Sequence, residues 1–344
     1  MKLFLKNLML ISAIPWVLAA CGTPTAVPTE VPTAVSETAV PTEAPTSEPT
    51  VAPTVVPTEE SATVSNTETN RAAAIDAFTR MFQGDATAVD QYFAEDFVNH
   101  NPYGGGQGLD SYRQISTQLG AAGFPMWEAI RSIASGDYVA VQGLYHFESL
   151  ATFKPDPDAP GVVAIDLFRF ENGKIVEHWD ALQDVVPAEK TPDNNDMLSG
   201  AIGKPGEPAI DPKVAQDAVV ALSNGDKSLI KTVFSEAYVN HNPFGADGWS
   251  GLEQLADILG SAGFQMYTPL RAFADGDLVI LHGIYHFENI ESFKPSQDAP
   301  GVIAFDIFRI EDGKIVEHWD VLQNNVPSEK TSSGISTTGD GLSK

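Results

Sequence analysis
From Arg71 onward the apolar residues fall first at helical and then at strand spacing. Ile75, Phe78 and Phe82, with Ala74, Ala77 and Met81 beside them, recur at the three- and four-residue intervals that give a helix one apolar face. Gly84-Asp85 ends that run, and a second short helix is predicted over Ala86 to Ala94. Asn99-His100-Asn101-Pro102 reads as a turn, because a residue before proline avoids the helical region. A third helix is expected from Asp110 to Leu119. After Gly123 the period changes to two, giving strands over Phe124 to Ala134, Tyr138 to Ser149, Val162 to Phe170 and Lys174 to Leu182. Helices first and antiparallel strands afterwards imply an α+β fold.

The same pattern then returns. Gly136 to Pro187 and Gly276 to Pro327 align without a gap, with 33 of 52 positions identical. Upstream, Asn99-His100-Asn101-Pro102 returns as Asn240-His241-Asn242-Pro243, one residue further along, so an indel lies in the Gly-rich loop or the helix after it. A period near 140 is far longer than the roughly 20 to 50 residues of a solenoid repeat, so each copy is a domain with its own core. The domains are placed at 71–187 and 212–327, joined by a linker at 188–211 and followed by a disordered tail at 328–344.

The last hairpin of each copy concentrates polar residues among apolar ones. A three-residue loop at Glu171-Asn172-Gly173 would pair Phe170 with Lys174, placing Asp166 opposite His178 and Ala164 opposite Asp180. Asp166, His178 and Asp180 would then share one face, leaving Val163, Ile165, Leu167 and Trp179 as an apolar opposite face. A two-residue loop would set Asp166 against Trp179 and split the cluster. The second copy repeats the expectation with Asp306, His318 and Asp320.

Composition changes the picture at the N-terminus. Lys2 and Lys6 precede an apolar stretch from Leu8 to Ala20 that is short for a membrane span, and 1–20 reads as an export signal. Leu18-Ala19-Ala20-Cys21-Gly22 resembles the bacterial lipoprotein box, which implies lipidation of Cys21, the single cysteine of the chain. Residues 21–70 are dominated by Pro, Thr, Val, Ala and Glu. Such a segment cannot bury enough apolar surface to fold alone and reads as a disordered Pro/Thr-rich stalk. The expected location is the bacterial cell envelope, outside the cytoplasm and attached to the membrane by lipid. The net charge is −26, and each domain holds seven basic against sixteen acidic residues, so nucleic acid is excluded as a partner.

The Asn-His-Asn-Pro turn after two helices, the Asp-x-Phe-Arg strand and Gly-Lys-Ile-Val-Glu-His-Trp-Asp together resemble the SnoaL-like polyketide cyclases of the nuclear-transport-factor-2-like superfamily. The resemblance covers nearly all of both copies. It implies two tandem cone-shaped α+β barrels, each with three helices packed on a curved antiparallel sheet around a small-molecule pocket. It also implies cofactor-free acid/base chemistry on a small carbonyl compound, such as aldol condensation, cyclisation or isomerisation. Asp180 and Asp320 match the family's acid/base aspartate. Asp166 with His178, and Asp306 with His318, would be supporting acid/base pairs. His100 and His241 would point into the pockets by the same resemblance, and His146 and His286 are further ligand-binding candidates.

The i, i+2 spacing of His178 and Asp180 permits two metal ligands on one strand face. No recognised ligand spacing accompanies it, so neither metal nor cofactor is expected. The rival reading is a non-catalytic capture module at the cell surface. In a third, the two copies pack sheet to sheet within the chain, as a covalent imitation of a homodimer.

Overall fold
The computed structural model describes residues 59–331 and 334–339, apart from Gly105. The expected signal, Cys21 and the stalk as far as residue 58 lie outside the described residues. Among the described residues no helix is long and apolar enough to cross a membrane.

The first domain runs α1 (Glu59–Met81), α2 (Thr87–Tyr92), β1 (Phe93–Asn99), α3 (Leu109–Gly120), β2 (Trp127–Ser135), β3 (Tyr138–Tyr145), β4 (Val162–Glu171) and β5 (Lys174–Asp184). The second repeats this order as α4 (Pro212–Ser223), α5 (Ile230–Val233), β6 (Phe234–Asn240), α6 (Gly248–Gly260), β7 (Tyr267–Asp275), β8 (Leu278–Tyr285), β9 (Val302–Glu311) and β10 (Lys314–Asn324). Each domain has one five-stranded sheet, ordered β1-β5-β4-β3-β2 and β6-β10-β9-β8-β7. The fold is α+β as expected, but the sheets are mixed rather than wholly antiparallel. Strand β1, which periodicity does not reveal, lies parallel to β5 and sets Asn99 beside His178. Helix α1 begins at Glu59, twelve residues inside the span read as stalk, and it buries Asn70 and Arg71.

The hairpin turn is Asn172-Gly173, with two residues rather than three, and both have positive φ, at 50° and 75°. That is the geometry of a two-residue turn matching strand twist. By itself it would set Asp166 against Trp179. A bulge between Phe170 and Arg169 adds one residue, Val176, to β5 and restores the parity. Phe168 therefore faces His178, and Asp166 faces Asp180. The register differs by two residues from the one expected, yet the three polar residues still share a face. β9 and β10 do the same, with Asp306 opposite Asp320.

The two faces of each sheet bury different things. In the first domain Phe78, Met81, Tyr112, Trp127, Tyr145 and Phe168 fill the space between helices and sheet. The opposite face carries Val163, Ile165, Leu167, Trp179 and Ala181, which lie in one buried cluster with Ile280, Ile303, Phe305, Ile307, Trp319 and Val321 of the second domain. Reciprocal hydrogen bonds flank that cluster, from Leu182 N to Gln323 Oε1 and from Leu322 N to Gln183 Oε1, each 2.9 Å. The linker and the described residues of the tail, 328–331 and 334–339, belong to this arrangement, where Met197 and Thr337 are both buried.

Candidate functional site
Strand pairing brings Asp166, His178 and Asp180 together beneath α1 and α3, each at most 2% exposed. His178 Nε2 lies 3.1 Å from Asp166 Oδ1. The Tyr145 hydroxyl donates to both oxygens of Asp166, at 3.0 and 3.1 Å. Asn99 fixes the imidazole tautomer. Its Nδ2 donates to Gly104 O and its Oδ1 accepts from Asn101 N, so the amide oxygen faces His178 Nδ1 at 3.1 Å, and Nδ1 carries the proton. The Tyr112 hydroxyl stands 3.0 Å from the same nitrogen. With Nδ1 protonated, the contact between Nε2 and Asp166 needs one proton, which the pair shares.

Electrostatics agree with a neutral pair. Burial pushes the Asp166 carboxyl up to about 8, against the opposing Tyr145 and Trp127 donors. Burial likewise holds His178 down at about 4. Asp180 is raised to about 7, first by burial; His178 and the Asn101 hydrogen bond oppose the shift, and the Asp166 charge adds to it. Asn101 Nδ2 donates to Asp180 Oδ2, and Asp180 Oδ1 is buried without a protein partner. The Trp127 indole N–H is also buried and faces Asp166 without closing a hydrogen bond. It sits so tightly on Gly143 that a Cβ there would fall 2.3 Å from Nε1.

The second domain places Asp306, His318 and Asp320 alike, with His318 Nε2 3.1 Å from Asp306 Oδ1, Asn240 Oδ1 3.0 Å from His318 Nδ1, and Asn242 donating to Asp320 Oδ2. Burial raises Asp320 to about 6. His318 moves the other way from His178. Burial opposes its charge, but the hydrogen bond to Asp306 and the carboxylates of Asp320 and Asp306 hold it above the ordinary value. In both domains one ligand atom from each of the three residues lies within 4.8 Å of the others, close enough to share a cation.

The four other histidines expected to bind ligand, His100, His241, His146 and His286, lie apart from these clusters. One residue beyond Asn99, alternation turns His100 to the far side of the sheet, where it stacks on Trp179 at 4.8 Å and its Nδ1 meets Ser336 O at 2.8 Å. His241 stacks in the same way on Trp319, with Nδ1 2.7 Å from Asp196 O. The inward orientation expected for both is therefore corrected. On β3 it is Tyr145, not His146, that reaches the cluster. His146 lies 3.8 Å from Glu128 past the strand end, and His286 bonds Thr268 Oγ1 at 2.8 Å. Sequence reasoning missed Asn99, Asn101, Tyr112 and Tyr145 as site residues. The signal for the asparagines was their spacing of two around His100, which puts both on the face that the histidine leaves. A surface groove along Val239, Arg309 and Glu317 lies away from the cluster.

A helix-covered mixed sheet holding a buried Asp-His-Asp cluster defines a small α+β domain, present here twice. The chain belongs to the SnoaL-like domain family, whose model matches residues 72–178 and 215–318, more than half of its length. No curated protein matches it. Similar solved structures include TsrD from Streptomyces laurentii, at 24% identity over 33% of this chain and 90% of TsrD, with a TM-score of 0.26. An NTF2-like protein of unknown function from Mesorhizobium loti shares 17% over 34% of this chain and 93% of its own, with a TM-score of 0.28. IdmH from Streptomyces antibioticus, a polyketide cyclase by provisional assignment, shares 20% over 33% of this chain and 94% of its own, with a TM-score of 0.27.

Proposed function
We propose that the first domain binds a small carbonyl compound and removes a proton from the carbon next to the carbonyl. The observation that carries this is the pair of buried groups without protein partners, the acceptor Asp180 Oδ1 and the donor Trp127 Nε1. A base and a hydrogen-bond donor in one desolvated site match the two atoms that change charge in enolisation. Asp180 would take the proton, the C–H electron pair would pass into the carbonyl, and the Trp127 N–H would meet the resulting enolate oxygen. The His178–Asp166 pair, already sharing a proton, would supply one to the product. An Asp180 carboxyl raised to about 7 is half ionised near neutrality, which suits a group that must both accept and return a proton. The test is deuterium exchange at the α-carbon of a panel of small ketones, followed by NMR. Exchange is expected in the wild type and lost in Asp180→Asn; exchange undiminished in that variant removes Asp180 as the base. Saturable binding of the same ketones without exchange would favour the capture reading.

The cellular setting is part of the proposal. Lys2, Lys6, the apolar run to Ala20 and the single cysteine support a lipid-anchored protein of the bacterial envelope, outside the cytoplasm. Labelled palmitate should enter the chain and be lost with Cys21→Ser. Constitutive pairing of the two domains, as a covalent counterpart of a dimer, is supported by the shared apolar cluster and by the Gln183 and Gln323 bonds.

A further inference from the structure
The two sites have the same three residues at their centre and differ in what surrounds them. In the first domain every oxygen of Asp166 is engaged, by Tyr145 and by His178. In the second, Asp306 Oδ2 and Asp320 Oδ1 are both buried without a partner, and so is the hydroxyl of Tyr267. Tyr267 is fully buried and within electrostatic reach of Asp306. It occupies the position of Trp127, 140 residues earlier. Leu252 stands where Tyr112 does, counting back from the matched helix ends Gly120 and Gly260.

These differences act on one property, the capacity to accept a cation. An indole N–H can only donate, and it presents a positive edge to anything placed against Asp166. A phenol oxygen has lone pairs. Each site has the same imidazole nitrogen; beside it the second offers two free carboxylate oxygens and a hydroxyl, where the first offers a single free carboxylate oxygen and a donor. The ligands are also held from behind as metal ligands are. Asn240 Oδ1 holds His318 Nδ1, so Nε2 is the nitrogen turned inward, and Asn242 ties Asp320 Oδ2, leaving Oδ1 inward. The mixed nitrogen and oxygen set, with atoms within 4.8 Å of one another, suits a zinc-type ion better than magnesium or calcium, which favour oxygen alone.

We propose that the second domain binds one divalent transition-metal ion of zinc type between Asp306, His318 and Asp320, and that the first domain binds none. Three protein ligands leave a coordination position open, so a substrate oxygen or a solvent molecule can complete the site. This goes beyond the acid/base reading, which rests on the first domain.

The test is titration of the untagged, chelator-stripped chain with zinc chloride by calorimetry, and with cobalt(II) by visible absorption. One equivalent per chain is expected, with a cobalt spectrum of low coordination number. Asp306→Asn should weaken zinc at least tenfold, and Asp166→Asn should not. Because removing a buried carboxylate can unsettle the fold, Tyr267→Trp is the second variant. It installs the residue that the first domain already accommodates over the matching Gly143 and Gly283, and it too should weaken zinc at least tenfold. Zero or two equivalents in the wild type, or a single equivalent indifferent to both Asp306→Asn and Tyr267→Trp, overturns the proposal.

Discussion
At the scale of single residues, the first site is governed by where protons sit. Unfolded aspartates ionise near 3.9, whereas folded Asp166 and Asp180 keep their protons to about 8 and about 7. Between these limits the native state binds more protons than the unfolded chain, so the stabilising contribution present at low pH is lost as pH rises toward 8. His178 acts in the opposite sense, because it remains neutral in the fold down to about 4 while the unfolded imidazole protonates near 6.5. Two carboxyl groups outweigh one imidazole. Urea unfolding should accordingly show stability falling from pH 5 to pH 8. Asp166→Asn should flatten the fall by up to about 1.4 kcal/mol per pH unit, the value for one proton. Asparagine can donate to His178 Nε2 as the protonated acid does, so the variant retains the pair. An unchanged slope would mean that Asp166 is ionised in the fold.

The elements are organised by two devices that work at a distance from the residues they position. One is the bulge at Val176, which compensates for the short Asn172-Gly173 turn and delivers Asp180 to the face of Asp166. The other is an exchange of connecting segments. The linker after the first domain closes over the His241–Trp319 stack of the second, through His241 Nδ1 to Asp196 O and Trp319 Nε1 to Ser199 O. The tail after the second domain closes over the His100–Trp179 stack of the first, where His100 Nδ1 meets Ser336 O and Gly339 packs on the Trp179 indole. His100 and His241 thus hold the chain in place rather than hold ligand. Ending the chain at Lys330 should therefore destabilise the first domain by about 1–3 kcal/mol, from one lost buried hydrogen bond and newly wetted aromatic surface. Iodide quenching of tryptophan fluorescence should rise through Trp179 while Trp319 stays covered. Equal quenching in the full and shortened chains would show that the tail does not seal the stack.

For the whole molecule, the controlling feature is the apolar sheet face that each domain turns to the other. Burying Ile165, Leu167, Val163 and Trp179 is worth roughly 1.5–3 kcal/mol for each large side chain. Crossed cation–π contacts join the same region, with Arg271 over Trp179 at 4.2 Å and Arg131 over Trp319 at 4.0 Å. Residues 59–187 produced alone would expose this face, and light scattering should find them as dimers or larger species. A monodisperse monomer would mean that the face does not require a partner. His282, without a histidine counterpart at Gln142, belongs here as well. Arg271 Nη1 meets His282 Nδ1 at 3.0 Å, and Arg131 bonds Gln142 at the matched position, so the two residues perform one task and do not mark a difference between the pockets.

Periodicity and repetition along the chain were enough to establish two α+β domains and the helices that cover them. These depend on spacing of two or of three to four residues, which local backbone geometry imposes wherever the chain folds. The gathering of Asp166, His178 and Asp180 on one face, expected from a three-residue turn, came about instead through a two-residue turn and a bulge. Strand β1 was not legible, because Glu95 and Asp96 interrupt its apolar pattern and its pairing partner lies some eighty residues away. The same long-range parallel pairing decided that Asn99 and Asn101, rather than His100, would serve the cluster. The bulge, the crossing of linker and tail, and the unequal surroundings of Asp166 and Asp306 were likewise settled only in three dimensions, since each depends on which distant side chain or carbonyl arrives at a given atom.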